Sequence, residues 1–108
     1  METKTNPMEA IEQLKDANTL GADIDILMFD FVPNIHVDIQ CEIAATTKNR
    51  KAQGIFGRSR SIRIRRALAS NPDLDFDLIA KLRDSKDTQT RENAWATWEA
   101  RHEALQAA

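Results

Sequence analysis

The chain has 108 residues, one cysteine and a formal net charge of -2. This length predicts a single domain over residues 1–108, large enough to fold without disulfide bonds. The lone Cys41 cannot form a disulfide within the chain, and the N-terminus lacks the basic and apolar pattern of a secretory signal, so we expect a cytoplasmic protein. Its longest apolar stretch, Ile26 to Val32, is interrupted by Asp30 and falls far short of the roughly 20 residues needed to span a bilayer, which excludes membrane insertion.

The first predicted helix begins at Asn6, which is followed by Pro7 and, three residues after the cap, by Glu9. A capping side chain, a proline at the first helical position and a glutamate at the third are typical of a helix start. The next segment, Asp23 to Val32, alternates apolar and acidic residues as a strand would. We nevertheless expect a helix there, because the rest of the sequence offers no partner strand.

Four further helices are predicted after Pro33 and Asn34, which break the second helix. Their expected ranges are Val37 to Thr46, Ser61 to Ser70, Leu74 to Asp84 and Thr88 to Leu105. Ser61 is a favourable N-cap for the second of these four. Asn71-Pro72 ends that helix, because the residue before a proline is pushed out of the α region.

Between these helices, residues 48–60 predict an irregular loop. Gly54 and Gly57 stand where good helix formers are expected, and each glycine costs about 1 kcal/mol relative to alanine inside a helix. Such a loop would hold Ile55 and Phe56 at the surface, between clustered cations.

The segment Ile64 to Pro72 reads Ile-Arg-Arg-Ala-Leu-Ala-Ser-Asn-Pro, and a second apolar series follows it at Leu74, Phe76, Leu78, Ile79 and Leu82. It resembles one unit of the variant leucine-rich and HEAT-like helical repeats, in which a short helix ending in this kind of Asn-Pro run packs beside a second amphipathic segment. The resemblance implies an all-α fold, arranged as a short right-handed array of about three helical repeats. A compact helical bundle is the alternative. Repeats of this kind build surfaces rather than active sites.

Weak internal copies accompany this unit, as expected if a repeat cannot bury its apolar face alone. Toward the N-terminus Leu68 aligns with Ile43, and toward the C-terminus Arg65 aligns with Arg91. The two alignments require nearly the same shift along the chain, as a constant repeat length would. The copy at residues 62–84 matches the pattern best, and the weaker copies lie on either side of it.

Charge is distributed unevenly along the chain. Residues 1–47 carry nine acids and two lysines, a net charge of -7, whereas residues 48–66 carry eight bases and no acid. Residues 67–108 return to a net charge of -3. A stretch of +8 in an acidic protein indicates a site for an acidic partner, unless its cations balance the acids of the N-terminal region.

The predicted binding residues combine this basic stretch with the two apolar residues of the expected loop. They are Lys48, Arg50, Lys51, Ile55, Phe56, Arg58, Arg60, Arg63 and Arg66. We expect them to dock the chain on a larger protein, which makes it an adaptor or an inhibitor. Nucleic acid is the alternative partner for the same segment. Two further interpretations stay open: the two apolar residues fill the core while the cations form a solvated face, or the acidic N-terminal region mimics a polyanion.

We do not expect an enzyme or a bound cofactor. The sequence shows no nucleophile with a partner base, no glycine-rich phosphate loop and no set of metal ligands. His36, Cys41 and His102 are too few and wrongly spaced for zinc.

Trp95 and Trp98 lie at helical spacing on one face, with Leu105 further along. The pattern favours a role in closing the end of the core. An exposed indole pair would instead anchor an interface.

Overall fold

The structure is a computed structural model that describes residues 32–107. A short 3-10 helix, Val32–Asn34, precedes five α-helices: α1 Val37–Thr46, α2 Arg50–Gly57, α3 Ile62–Ala69, α4 Phe76–Arg83 and α5 Thr88–Ala107. The predicted all-α class is confirmed, and residues 32–107 contain no strand. The two helices predicted from Asn6 and from Asp23 lie outside the described residues, except for Val32 at the end of the second.

Local capping explains where most of these helices begin. The Asn49 side chain accepts hydrogen bonds from the backbone N–H groups of Lys51 and Ala52, and Ser61 accepts one from Ile64. Such bonds satisfy amide groups that have no partner inside the helix. The predicted bounds of α1 and α3 are confirmed, whereas α4 begins two residues later than Leu74.

The predicted loop at residues 48–60 is wrong, because Arg50–Gly57 forms α2. Gly54 and Gly57 weaken the intrinsic helix preference, but Asn49 caps the first turn, and the helix buries Ala52 and Phe56 in the core. Packing of an apolar face contributes more to helix stability than residue preference does, and here it overrides the glycines.

The helices pack in a regular order. α1 contacts α3, and α3 contacts α5, so these three form one row. α2 packs on α3, α4 packs on α5, and α2 also contacts α4. The core runs between these helices, and its largest fully buried apolar side chains are Ile43, Leu68, Leu74 and Ile79.

The same hydrogen bonds recur at the starts of α3 and α5. Arg65 donates from its guanidinium to the carbonyl of Ser59, and Arg91 donates in the same way to the carbonyl of Ser85, at 2.8 Å. Each serine side chain also accepts a bond from the backbone N–H two residues later, at 3.1 Å in both cases. Ser85 lies as far along the chain from Ser59 as Arg91 lies from Arg65. Arg65 and Arg91 are the two residues that the internal sequence match aligns.

Polar side chains also tie each helix of the row to the one before it. The buried Asn71 amide, just after α3, donates to the carbonyls of Ala44 and Thr47 at the end of α1, at 2.9 and 2.8 Å. From α5, the Thr97 hydroxyl donates to the carbonyl of Ala69 at 2.6 Å.

Two more side chains of α5 make bonds of this kind, the Asn93 amide to the carbonyl of Arg66 at 3.0 Å and the Arg101 guanidinium to the carbonyl of Leu74. Side chains of α5 thus hold the last turn of α3 and the loop after it, and Asn71 holds the end of α1.

Candidate docking surface

An open groove lies at the C-terminal end of α2. Its volume is about 380 Å³, and its lining is mainly apolar: Val32, Pro33, Gln40, Ile55, Phe56, Arg58 and Ser59. Phe56 forms part of the wall but is only 2% exposed, so it does not protrude as the expected loop would have allowed. Ile55 is partly buried and is the more accessible of the two. Ile55 and Phe56 therefore line a recess with Arg58 at its edge, whereas the predicted loop would have made them project from the surface.

Arg66 has a structural partner. Its Nε and Nη2 atoms donate to the two carboxylate oxygens of Asp87, both at 2.8 Å, in the two-pronged geometry that arginine and a carboxylate favour. Asp87 also accepts from the backbone N–H and the hydroxyl of Thr90. The bonds from Arg66, and then those from Thr90, hold the pKa of Asp87 well below its ordinary value. Arg66 thus ties α3 to the start of α5.

Arg63 and Arg50 are paired more weakly. Arg63 donates to Asp38 of α1, and this bond lowers the pKa of the Asp38 carboxyl, although both side chains are exposed. Arg50 Nε lies 4.0 Å from a carboxylate oxygen of Asp75, and the Arg50 side chain is 83% exposed. Exposed pairs of this kind contribute little to stability, so both arginines can exchange their partners at low cost.

Three other cations of the predicted segment differ from these arginines. Within residues 32–107, Lys48, Arg58 and Arg60 are exposed and make no ion pair with an acidic side chain. Lys51 is exposed as well. We call the groove together with Lys48, Arg58 and Arg60 the docking surface.

A second cluster lies where α4 packs on α5, and sequence reasoning found only part of it. Trp95 is 46% exposed and Phe76 is 38% exposed, while Trp98 packs partly buried against the core. The Arg83 guanidinium lies over both indoles, 4.5 Å from the Trp95 ring and 5.0 Å from the Trp98 ring. Spacing along the chain pointed to the two tryptophans. It gave no signal for Arg83, which meets them only through helix packing.

Comparisons with protein-family models, with curated proteins and with solved structures gave no match to this chain.

Over residues 32–107, no three His, Cys, Asp or Glu side chains come together as a metal site would require. His36 instead caps α1 through its Nδ1, and burial raises the pKa of the Cys41 thiol. None of the helices in this part of the chain has the length and hydropathy to cross a bilayer.

Proposed function

We propose that this protein is a small, non-catalytic interaction protein of the cytoplasm, an adaptor or an inhibitor, that docks on a larger protein through residues 48–66. The observation that carries the proposal is an open apolar groove beside exposed cations that have no acidic partner within residues 32–107. An apolar recess beside cations that have no acidic partner in the described part of the chain favours a partner that offers both an apolar side chain and acidic groups.

The two parts of the docking surface would contribute differently to binding. An apolar side chain of the partner that enters the groove would be removed from water against Ile55 and the Phe56 wall, which supplies affinity. Arg58 at the edge of the groove, and Arg60 two residues further on, would act at the rim, where charges mainly raise the association rate and select the partner. Lys48, before the start of α2, would add to the same effect at longer range. The partner surface is therefore expected to be acidic around an exposed apolar residue.

We also infer that the chain is a short array of about three variant leucine-rich or HEAT-like repeats. The support is the recurrence, before α3 and again before α5, of the same arginine and serine bonds, together with the row formed by α1, α3 and α5. An array in which each unit contacts only its neighbours leaves extended surfaces free for binding.

The test compares two double charge reversals. The variant with Arg58→Glu and Arg60→Glu should fold normally yet lose binding to the protein that co-purifies from the native host. The matched control carries Lys81→Glu and Lys86→Glu, two exposed lysines outside the docking surface, and changes the net charge by the same amount. It should bind like the wild type. Equal losses in both variants would mean that only net charge matters and would contradict the assigned surface.

The groove is tested separately by Ile55→Asp, which places a carboxylate where an apolar side chain of the partner should enter. We expect binding to fall at least tenfold while the circular dichroism spectrum is unchanged. Phe56 is unsuitable for this purpose because its burial makes any truncation a test of folding. Unchanged affinity for Ile55→Asp would remove the groove from the proposal.

Nucleic acid is the second candidate partner for the same segment, supported by eight bases without an acid in residues 48–66. On duplex DNA the logarithm of the affinity should fall with the logarithm of salt concentration by about 0.9 for each neutralised phosphate. The Arg58 and Arg60 double substitution should then flatten that slope by roughly two units. Absence of binding to any oligonucleotide at low salt would eliminate this candidate.

A further inference from the structure

Arg83 is held differently from the other arginines around it. Arg65, Arg91 and Arg101 each donate to a backbone carbonyl, and Arg101 also lies over the Phe76 ring, 4.2 Å from its centre. The Arg83 guanidinium lies over two indole rings instead. Its Nε atom is buried and has no hydrogen-bond partner. Within residues 32–107, its terminal nitrogens make no hydrogen bond or ion pair either.

Only the Nε atom is buried without a partner, whereas the two terminal nitrogens are accessible and have no acceptor among the described residues. Buried polar groups are rarely left unpaired, and a half-buried charge without a counter-ion is costly. The two indoles offset some of this cost through their negative ring faces. The two accessible terminal nitrogens can take an acceptor with two oxygens.

We propose that the face formed by Phe76, Arg83, Trp95 and Trp98 is a second docking site, which binds an apolar segment of a partner protein through a carboxylate on Arg83. The guanidinium fork matches the two oxygens of a carboxylate. Trp95 and Phe76, both partly exposed, supply apolar contact on either side of that ion pair. Tryptophan and arginine are also the residue types that contribute most at protein interfaces.

The rim of this face selects a protein carboxylate over a polyanion. Glu92 and Glu99 are exposed, and they lie three residues before and four residues after Trp95 on α5, on the same side of the helix. A strand of phosphates would bring several negative charges past both glutamates, whereas a single carboxylate brings one. Arg101, which lies over the Phe76 ring, adds a second cation to this face. A segment with one acidic residue between apolar ones, and with basic residues further out, satisfies Arg83 and the glutamates together.

This site is separate from the docking surface, because it is built on α4 and α5 and shares no residue with Lys48, Arg58, Arg60 or the groove. The chain would therefore contact its partners at two places. Substitutions in one site are expected to leave the other intact.

The experiment pans a displayed library of random twelve-residue peptides on the purified full-length protein and then titrates the selected peptides in solution. The chain has two tryptophans, and both belong to this face, so intrinsic tryptophan fluorescence reports on binding there. We expect selected peptides to carry one Asp or Glu between apolar residues, with basic residues toward the ends. Replacing that acid by its amide should weaken binding at least tenfold.

Two protein variants complete the test. Arg83→Met keeps an apolar stem against the indoles but removes the fork, and it should weaken binding at least tenfold. Combined Glu92→Gln and Glu99→Gln should keep binding and abolish the preference for basic flanks. The double charge reversal at Arg58 and Arg60 should bind these peptides like the wild type. Circular dichroism and thermal unfolding of each variant show whether its fold is intact.

Four results would overturn the proposal. They are a library that yields no enriched peptide, peptides that bind Arg83→Met as tightly as the wild type, selected peptides without an acidic residue, and an Arg83-dependent preference for single-stranded DNA over the peptides. Because the double charge reversal does not touch this face, loss of the function proposed for residues 48–66 and loss of peptide binding are separate outcomes.

Discussion

Asn71 offers the sharpest test of how the helices are held together. Its side chain is fully buried, and its amide nitrogen donates to the carbonyls of Ala44 and Thr47 while its oxygen accepts from the backbone N–H of Asp73 at 2.8 Å. Asn71→Ala removes all three bonds, although the Thr47 carbonyl keeps its bond from the Gln53 amide at 2.9 Å. At about 1 kcal/mol for each bond, the free energy of unfolding should fall by about 3 kcal/mol.

That loss is large relative to the total stability of a small domain, which is about 5 to 15 kcal/mol, and it should lower the melting temperature by more than about 10 °C. Urea unfolding followed by far-UV circular dichroism measures the difference. The matched control is Asn93→Ala, which removes the bond to the carbonyl of Arg66 and an exposed bond from Gln89, and should cost about 1 kcal/mol. Equal losses for the two variants, or a loss below about 1 kcal/mol for Asn71→Ala, would refute this account of the row.

Three further outcomes are expected. Leu68→Ala should lower the free energy of unfolding by about 2 to 4 kcal/mol, because truncating a fully buried leucine removes its transfer energy and leaves a cavity. Leu78→Ala should lower it less, because Leu78 is partly exposed. Glu103→Ala, on the exposed side of α5, should change stability by less than about 0.5 kcal/mol in the same urea experiment, and a larger effect would mean that the buried face is wrongly assigned. Asp87 has a lowered pKa in the folded chain, so its bonds with Arg66 stabilise the fold above the ordinary carboxyl pKa and are lost as the pH falls below about 4. Urea midpoints at pH 6 and pH 3 should therefore differ less for Asp87→Asn than for the wild type, and an identical pH dependence would contradict the role of this pair.

The helix bounds that sequence predicted well are those with a strong local signal. Ser61 caps α3 and Asn71-Pro72 follows its end, so a few neighbouring residues determine the helix. The loop predicted at residues 48–60 is wrong because the helix preference of the two glycines is a local property, whereas the burial of Ala52 and Phe56 depends on the packed helices.

The use of the charges could not be read from the sequence. Residues 48–66 contain eight bases. The acidic partner of Arg66 is Asp87, 21 residues later, and that of Arg63 is Asp38, 25 residues earlier. Which cations stay uncompensated therefore depends on how α1, α3 and α5 pack. The same holds for Arg83, which reaches Trp95 from the neighbouring helix.

The bonds from α5 to the carbonyls of Arg66, Ala69 and Leu74 have a consequence for protein engineering. Their acceptors are backbone oxygens, which every amino acid carries, so the contact between neighbouring helices does not depend on which side chains stand at the accepting positions. The outward-facing positions of one helix can then change without disturbing the attachment of the next. If residues 59–84 are duplicated after residue 84, the inserted copy carries the same three acceptor carbonyls, so α5 is expected to dock on that copy by the same bonds and the row gains one helix pair.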